Sequence, residues 1–415
     1  MSTVAASPLI PGHPHRLGRS ALAWGAGLLL ACSAAPSDPE AIWNVAEAEI
    51  NRGHEGPARR GLERILELRS PTPADWMLQG QIEVAEGKRD AGLATLAKIP
   101  DDHPLAAQAA YMIGRIERER DRVRFAEQAY NRAVRLKPDL IPAHRETLYI
   151  LGMQSRRREV DARFRTLSRL TQLNHHDLFT WGLTHFTVWG PDSAGELEKF
   201  IEADPEDRAS RLALAMLLVD QPGEEARVEK VLAPLPDSDA DALTLRAELK
   251  LNHNQVDEAV AMLDKVKTPS PRMAALKGRI ALLKGDADQA IRDFKAALSD
   301  EPYDRVSIAD LGKALVLKGD RAAADRYFAK AKKLDAVYNL INKISRPAQE
   351  NQQPDLKNLG RACEEAGLLD EAKGWFTLAI SRDPLDQEAQ RAIHRLKLAL
   401  AKAEPVPAPA ATTRD

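Results

Sequence analysis

The chain has 415 residues, with 59 basic and 61 acidic side chains and a formal net charge of −2. That balance gives nucleic acid no general electrostatic hold, and two cysteines, Cys32 and Cys363, exclude a disulfide framework and a CxxC-type zinc site. Leu, Ala, Arg, Glu, Asp and Lys dominate while aromatics make up 5%, so helices are expected rather than sheets.

The segment from His13 to Cys32 has the layout of a bacterial export signal. Arg16 and Arg19 supply a positive start, and Ala21 to Ala31 is an apolar run too short to cross a bilayer as a permanent helix. It ends in Leu29, Leu30, Ala31 and Cys32. This resembles the lipobox of bacterial lipoproteins, in which the cysteine is acylated and becomes the new N-terminus. The resemblance implies a signal peptide over 1–31, lipid on Cys32 and a short tether over 32–38. Buried acyl chains contribute about 0.8 kcal/mol per methylene, so several hold firmly. Ser33, where aspartate would favour inner-membrane retention in that family, points to the outer membrane. The other reading is an ordinary signal peptide cut near Ala34 or Ala35, with Cys32 discarded.

From Pro39 onward small residues recur at one distance. Ala46, Gly80, Gly114, Leu148 and Gly182 stand 34 residues apart, as do Gly278 and Gly312. Each marker tends to carry the same companions. Gly278 is followed by Gly285, Ala290, Phe294, Ala297 and Pro302. Gly312 is followed by Gly319, Ala324, Phe328 and Ala331, and Gly360 by Gly367, Ala372, Phe376, Ala379 and Pro384. Gly114 brings Ala126, Tyr130, Ala133 and Pro138. Small residues let two antiparallel helices approach closely, a following glycine permits the turn, and proline stops the second helix. A single hairpin cannot bury its own apolar face, whereas stacked neighbours can.

This framework resembles the tetratricopeptide repeat across nearly the whole chain beyond residue 38. The resemblance implies an all-α, right-handed solenoid of about ten helix-turn-helix units with a capping helix at its C-terminal end. Units are expected to start at Pro39, Pro73, Ala107, Ile141, His175, Arg208, Ala240, Pro271, Arg305 and Gln353. Nine of them fill 39–338, with degenerate stretches at 141–174 and 208–270. In such units the glycine at position 8 and the alanine at position 20 form the close approach, and the large residue at position 24 fills the space between helices. The framework residues are Gly80, Gly114, Ala126, Gly182, Gly278, Ala290, Gly312, Ala324, Gly360 and Ala372.

The family also implies a groove lined by positions 2, 5, 6, 9, 12 and 13 of each first helix. Its most unusual stretch here runs from His175 to Trp189, with three histidines and four aromatic rings. The groove positions there include His176, Phe179, Leu183 and Phe186, and those in the two preceding units include Tyr111, Arg115, Arg145 and Tyr149. Together they form an aromatic and basic stripe suited to an acidic or aromatic peptide. Two alternatives stand beside this: neighbouring units bury the rings, or the charges are simply solvated. Arg115 to Arg124 reads as side-chain pairing along one helix. Arg156 to Arg169 is locally basic and reads as a solvated second helix or a face for anionic headgroups. His176 and His185 fall on opposite faces of a helix, which argues against a metal site.

An interruption, 339–352, precedes the last unit and is expected to be a loop or a short extra helix. Residues 353–403 hold the final unit and a cap from Gln387, and 404–415 is a Pro- and Ala-rich tail expected to be disordered. Lys357, Asn358 and Arg361 match a carboxylate clamp of some family members only weakly, since adjacent units lack the rest. No Walker loop, GxSxG, HExxH or Rossmann fingerprint occurs, so neither catalysis nor a cofactor is expected. The resulting expectation is an exported, lipid-anchored scaffold that docks a protein or peptide segment. Lipoproteins of this kind act in outer-membrane protein assembly, in pilus biogenesis or as adaptors for cell-wall enzymes. A receptor or enzyme built on His176, Phe179 and Phe186, and a structural spacer in the cell envelope, are the competing readings.

Overall fold

The computed structural model describes residues 38–184, 192–344 and 353–402. Cys32, Phe186 and the 404–415 tail lie outside the described residues. Among those described are 21 α-helices and no strand, arranged as an all-α array of helix hairpins. They form two compact units that divide between Thr147 and Leu148.

The first unit begins with three hairpins: α1 (Pro39–Asn51) with α2 (Glu55–Leu68), α3 (Pro73–Ala85) with α4 (Arg89–Leu96), and α5 (Ala106–Arg118) with α6 (Val123–Leu136). The division falls within α7 (Ile141–Met153). The second unit continues with α8 (Arg157–Leu170), α9 (His175–Thr184) and α10 (Ser193–Ala203). Then follow the hairpins α11 (Arg208–Leu218) with α12 (Glu225–Leu232), α13 (Ala240–Asn252) with α14 (Val256–Leu263), and α15 (Pro271–Leu283) with α16 (Ala287–Asp300). The last are α17 (Arg305–Lys318) with α18 (Arg321–Ile344) and α19 (Gln353–Ala366) with α20 (Leu369–Arg382), against which α21 (Gln387–Lys402) packs.

Local chemistry starts these helices. Pro39, Pro73 and Pro271 sit in the first turn, where no amide hydrogen is needed. Asp207, Asp239, Ser270, Asp286 and Asp304 each accept a hydrogen bond from the exposed backbone N–H groups of the turn that follows. The hairpin reversals are equally regular. Position 15 of the unit has positive φ at Gly53, Gly87, Gly285, Gly319 and Gly367, and also at Asp121, Ser155 and Asn254.

Packing inside the hairpin differs from the sequence expectation in one respect. The glycine at position 8 is met by the large side chain at position 24. A Cβ added to Gly278 would stand 2.8 Å from the Phe294 ring, and one on Gly312 2.6 Å from that of Phe328. Gly114 meets Tyr130, Gly360 meets Phe376 and Gly80 meets Leu96 in the same way. Ala126, Ala290, Ala324 and Ala372 are fully buried behind that contact. Position 8 is therefore kept empty for a large side chain, a ring in four of these five hairpins, which packs between the two helices. Leu96, Tyr130, Phe294 and Phe376 are fully buried there, each contributing roughly 1.5–3 kcal/mol, whereas Phe328 stays 37% exposed.

Gly182 departs from this rule. Its open face receives Ile341 of α18, 159 residues further on by number, rather than a residue of its own hairpin. The interruption explains how. Its first six residues, 339–344, are neither a loop nor a separate helix but the end of α18, which runs for 24 residues and buries Val337, Ile341 and Ile344. The extra turns carry Ile341 to α9. The main neighbours of α9 are accordingly α8, α18 and α20, so the second unit folds its first helices back onto its last hairpins.

Candidate binding surfaces

In the first unit the charged and aromatic groove positions gather where α5 faces the start of α7. The Tyr111 ring is half-buried and lies 5.8 Å from the Tyr130 ring, which fills the hairpin interior. Burial raises the phenol pKa of Tyr111, and the nearby Glu146 carboxylate adds to that shift. Arg118 Nε approaches Glu146 Oε2 at 2.9 Å, joining α5 to α7. Arg115 is exposed and reaches Glu119 at 3.7 Å. Arg145 is half-buried on α7. The surface thus offers a tyrosine ring fixed from behind by a second ring, with guanidinium groups beside it and one carboxylate already engaged.

The local pairing expected for Arg115 to Arg124 occurs at Arg115–Glu119, 3.7 Å, and Arg122–Glu117, 3.3 Å, but other arginines of the stretch pair outside it. Arg120, in the turn after α5, donates to Asp90 of α4 at 2.7 Å, and Arg118 of α5 reaches Glu146 of α7. Tyr149 is half-buried and belongs to the second unit, as do His176, Phe179 and Leu183.

The aromatic stretch on α9 splits into two faces. Leu178, Trp181 and Gly182 face inward and are buried. Trp181 stacks on Phe164 of α8 with centroids 5.1 Å apart, and its Nε1 donates to Asp161 at 2.8 Å. Leu178 fills the gap beside Gly374 of α20. His175 presents its ring to the edge of Trp375, 5.7 Å away, and to Phe179 at 6.3 Å. His176 stays exposed, while Phe179 and Leu183 are half-buried. The rings are thus shared between core and surface. The degenerate unit before α9 covers Trp181 through Phe164 of α8, and α20 near the C-terminal end covers His175 through Trp375.

Charge follows the same seam. Arg157 lies 3.7 Å from Glu301 and 3.5 Å from Asp304, Arg158 3.5 Å from Asp300, and Arg165 3.2 Å from Asp370. The basic α8 is therefore neither simply solvated nor unpaired: its partners come from the end of α16, the loop after it and the start of α20. Burial raises the Glu301 pKa, and Arg157 opposes that shift. A cleft of about 190 Å³ opens along this seam, lined by Ser168, Thr171, Leu173, Asp370, Lys373 and Thr377. It is smaller than the range of about 300–1,000 Å³ usual for small-molecule sites.

Lys357 and Arg361 are committed to the cap: Lys357 approaches Asp386 at 3.0 Å and Glu388 at 3.1 Å, and Arg361 pairs with Glu388. Among the described residues no group of three or more His, Cys, Asp or Glu side chains is placed to hold a metal ion. Two groove residues were not singled out from the sequence. Leu283 and Leu317 share position 13 of successive first helices and are exposed. The available signal was leucine at a position that most other units make polar.

No protein-family model matches the chain, and no curated protein does. Solved structures do. A tetratricopeptide repeat protein from Parabacteroides merdae ATCC 43184 is similar at 17% identity over 65% of this chain and 98% of its own, with a TM-score of 0.25. The APC/C hetero-tetramer Cut9-Hcn1 is similar at 15% identity over 88% of this chain and 84% of its own, with a TM-score of 0.33. Scores this low say nothing about what the chain binds.

Proposed function

We propose that the chain is a docking scaffold of the tetratricopeptide type, tethered to the outer membrane of a bacterial envelope by lipid on Cys32, with no covalent chemistry of its own. The observation that carries the docking role is the Tyr111 surface. A half-buried ring backed by Tyr130, with Arg115 and Arg118 beside it, suits a peptide segment that brings an aromatic or acidic side chain. Guanidinium groups recognise carboxylates with defined geometry, and a preordered ring lowers the entropic cost of binding. The tether rests on sequence alone: Arg16 and Arg19, the apolar run and Leu29–Cys32. No helix among the described residues is long and apolar enough to cross a membrane.

The test is crosslinking of the membrane-derived protein followed by mass spectrometry, in wild type and in Tyr111→Ala and Arg115→Glu. Recovery of one stoichiometric partner that both variants lose is the expected result. A partner set unchanged in both variants would refute the Tyr111 surface, and recovery of none would favour a spacer. The anchor is tested separately by Cys32→Ala: membrane association that survives the substitution would rule it out.

A further inference from the structure

Charge that balances over the whole chain does not balance along it. From 265 to 344 there are 17 Lys and Arg side chains against 10 Asp and Glu. The excess collects on the outer faces of two second helices, α16 and α18, which both pack against α17. Positions 22, 25, 26 and 29 of a unit lie on one side of its second helix. Counted from Pro271 and Arg305, they hold Arg292, Lys295, Ala296 and Ser299, then Arg326, Ala329, Lys330 and Lys333. No acid and no large apolar side chain interrupts either row. The opposite side of α16 buries Ala290, Ile291, Phe294 and Ala297.

Most of these cations are uncommitted. Arg292, Lys295, Arg326 and Lys333 are exposed, as is Lys332 beside the α18 row. Among the described residues none of the five has a carboxylate within ion-pair distance, and Arg292 donates to the amide oxygen of Gln289 at 2.7 Å. Lys330 differs: it is half-buried, donates to the Pro302 carbonyl at 2.8 Å and lies over the Tyr303 ring. Of the exposed acids on the same helices, Asp288 is held by Lys318 at 2.7 Å and Asp300 lies 3.5 Å from Arg158, which leaves Asp325. At positions 22, 25 and 29 earlier units carry acids such as Glu63, Asp101, Glu196, Glu229 and Asp264. The hairpin therefore folds without cations there.

We infer that this outer face of α16 and α18 docks on the anionic headgroups of a phospholipid bilayer. Cations on long flexible stems are drawn to a negative membrane surface, each strengthening binding several-fold. The alanines and serine between them let headgroups come close to the helices. An acidic protein is the poorer match. Specific protein interfaces centre on a desolvated apolar or aromatic core, and these rows offer none. The face lies on second helices, apart from the groove positions of the first helices, and shares no residue with the Tyr111 surface. It needs neither that surface nor the lipid on Cys32, so it stands or falls separately from the proposed function.

The experiment measures co-sedimentation of the full chain carrying Cys32→Ala with phosphatidylcholine vesicles, with and without phosphatidylglycerol. No acyl anchor then contributes, and any binding through the apolar run 21–31 affects both vesicle types alike. The chain should bind the phosphatidylglycerol vesicles more tightly, and about 0.5 M salt should abolish that preference. Arg326→Gln with Lys333→Gln should weaken the preference about tenfold or more. Removing the same charge from the first unit, by Arg135→Gln with Lys137→Gln, should leave it as in the parent chain. All four positions are exposed, and unchanged circular dichroism spectra establish that the variants are folded. No preference for phosphatidylglycerol, a preference that survives high salt, or one undiminished by Arg326→Gln with Lys333→Gln would each overturn the inference. So would an equal loss in the Arg135 and Lys137 variant. Tighter binding of a soluble poly-glutamate peptide than of the vesicles would also overturn it and assign the face to an acidic protein.

Discussion

At Ser155 the backbone adopts φ +53°, the same left-handed reversal that Gly285 and Gly319 supply in their own hairpins. A residue with a Cβ resists this conformation by about 1–2 kcal/mol, and asparagine or aspartate less because a short polar side chain can bond locally. Asp121 and Asn254 fit that allowance; Ser155 does not. Ser155→Gly is therefore expected to raise stability by roughly 1 kcal/mol, less the extra entropy of glycine in the unfolded chain, as a higher midpoint in thermal unfolding. A second residue gives a pH signature. Glu86 caps α3 and is held by Arg59 of α2, with Lys88 at 2.9 Å, and these two cations lower its pKa to about 2. A carboxyl with a depressed folded pKa stabilises above its unfolded value of 4.5 and loses that contribution as pH falls towards 2. The thermal midpoints of wild type and Glu86→Gln should thus differ most above about pH 5 and converge only as pH falls to about 2.

At the scale of elements, the 34-residue spacing announces the hairpins, because it reports only on close approach and turning within a short stretch. The same spacing does not report the partner of Gly182 or the helical state of 339–344. A glycine records that something must come close but does not say what, and a polar interruption does not reveal that its first turns prolong α18 to reach it. The Tyr111 surface was partly legible in the same way. Residue types at groove positions identified Tyr111 and Arg115, while the bond from Arg118 to Glu146 joins two helices and left no trace in local pattern. Helix α8 offers a test. Arg157, Arg158 and Arg165 face Asp300, Glu301, Asp304 and Asp370 at 3.2–3.7 Å in partly exposed settings. Such pairs are worth up to about 1 kcal/mol each and are screened by salt. Raising ionic strength from about 0.05 M to about 0.5 M should speed amide hydrogen exchange in α8 and α9. Arg157→Glu, which sets like charges against Glu301 and Asp304, should produce that change at low salt.

At the scale of the molecule, the folding back of the second unit depends on a few keyed contacts. Leu178 occupies the space that any side chain on Gly374 would need: an added Cβ would lie 2.4 Å from its Cδ2. Gly374→Val should therefore push α9 away from α20, uncovering Trp181 and His175. The expected readout is a red shift and stronger quenching of tryptophan fluorescence, with faster exchange over 175–184 and unaltered exchange over α1 to α6. Unchanged exchange over 175–184 would mean that α9 is held by α8 and α18 alone.

The amino-acid sequence by itself determined the helical content, the hairpin period, where chains reverse and which glycines must stay bare, since these follow from interactions among residues within a few tens of positions. Only the tertiary structure decided that α9 meets α18 and α20, that a basic helix finds its acids up to 205 residues away, and that Leu283 and Leu317 remain in water. Each hairpin adds a small rotation to the last, and where distant hairpins arrive depends on the sum of those rotations. A local pattern sets each rotation only approximately, so their accumulated error hides the long-range contacts until the chain is folded.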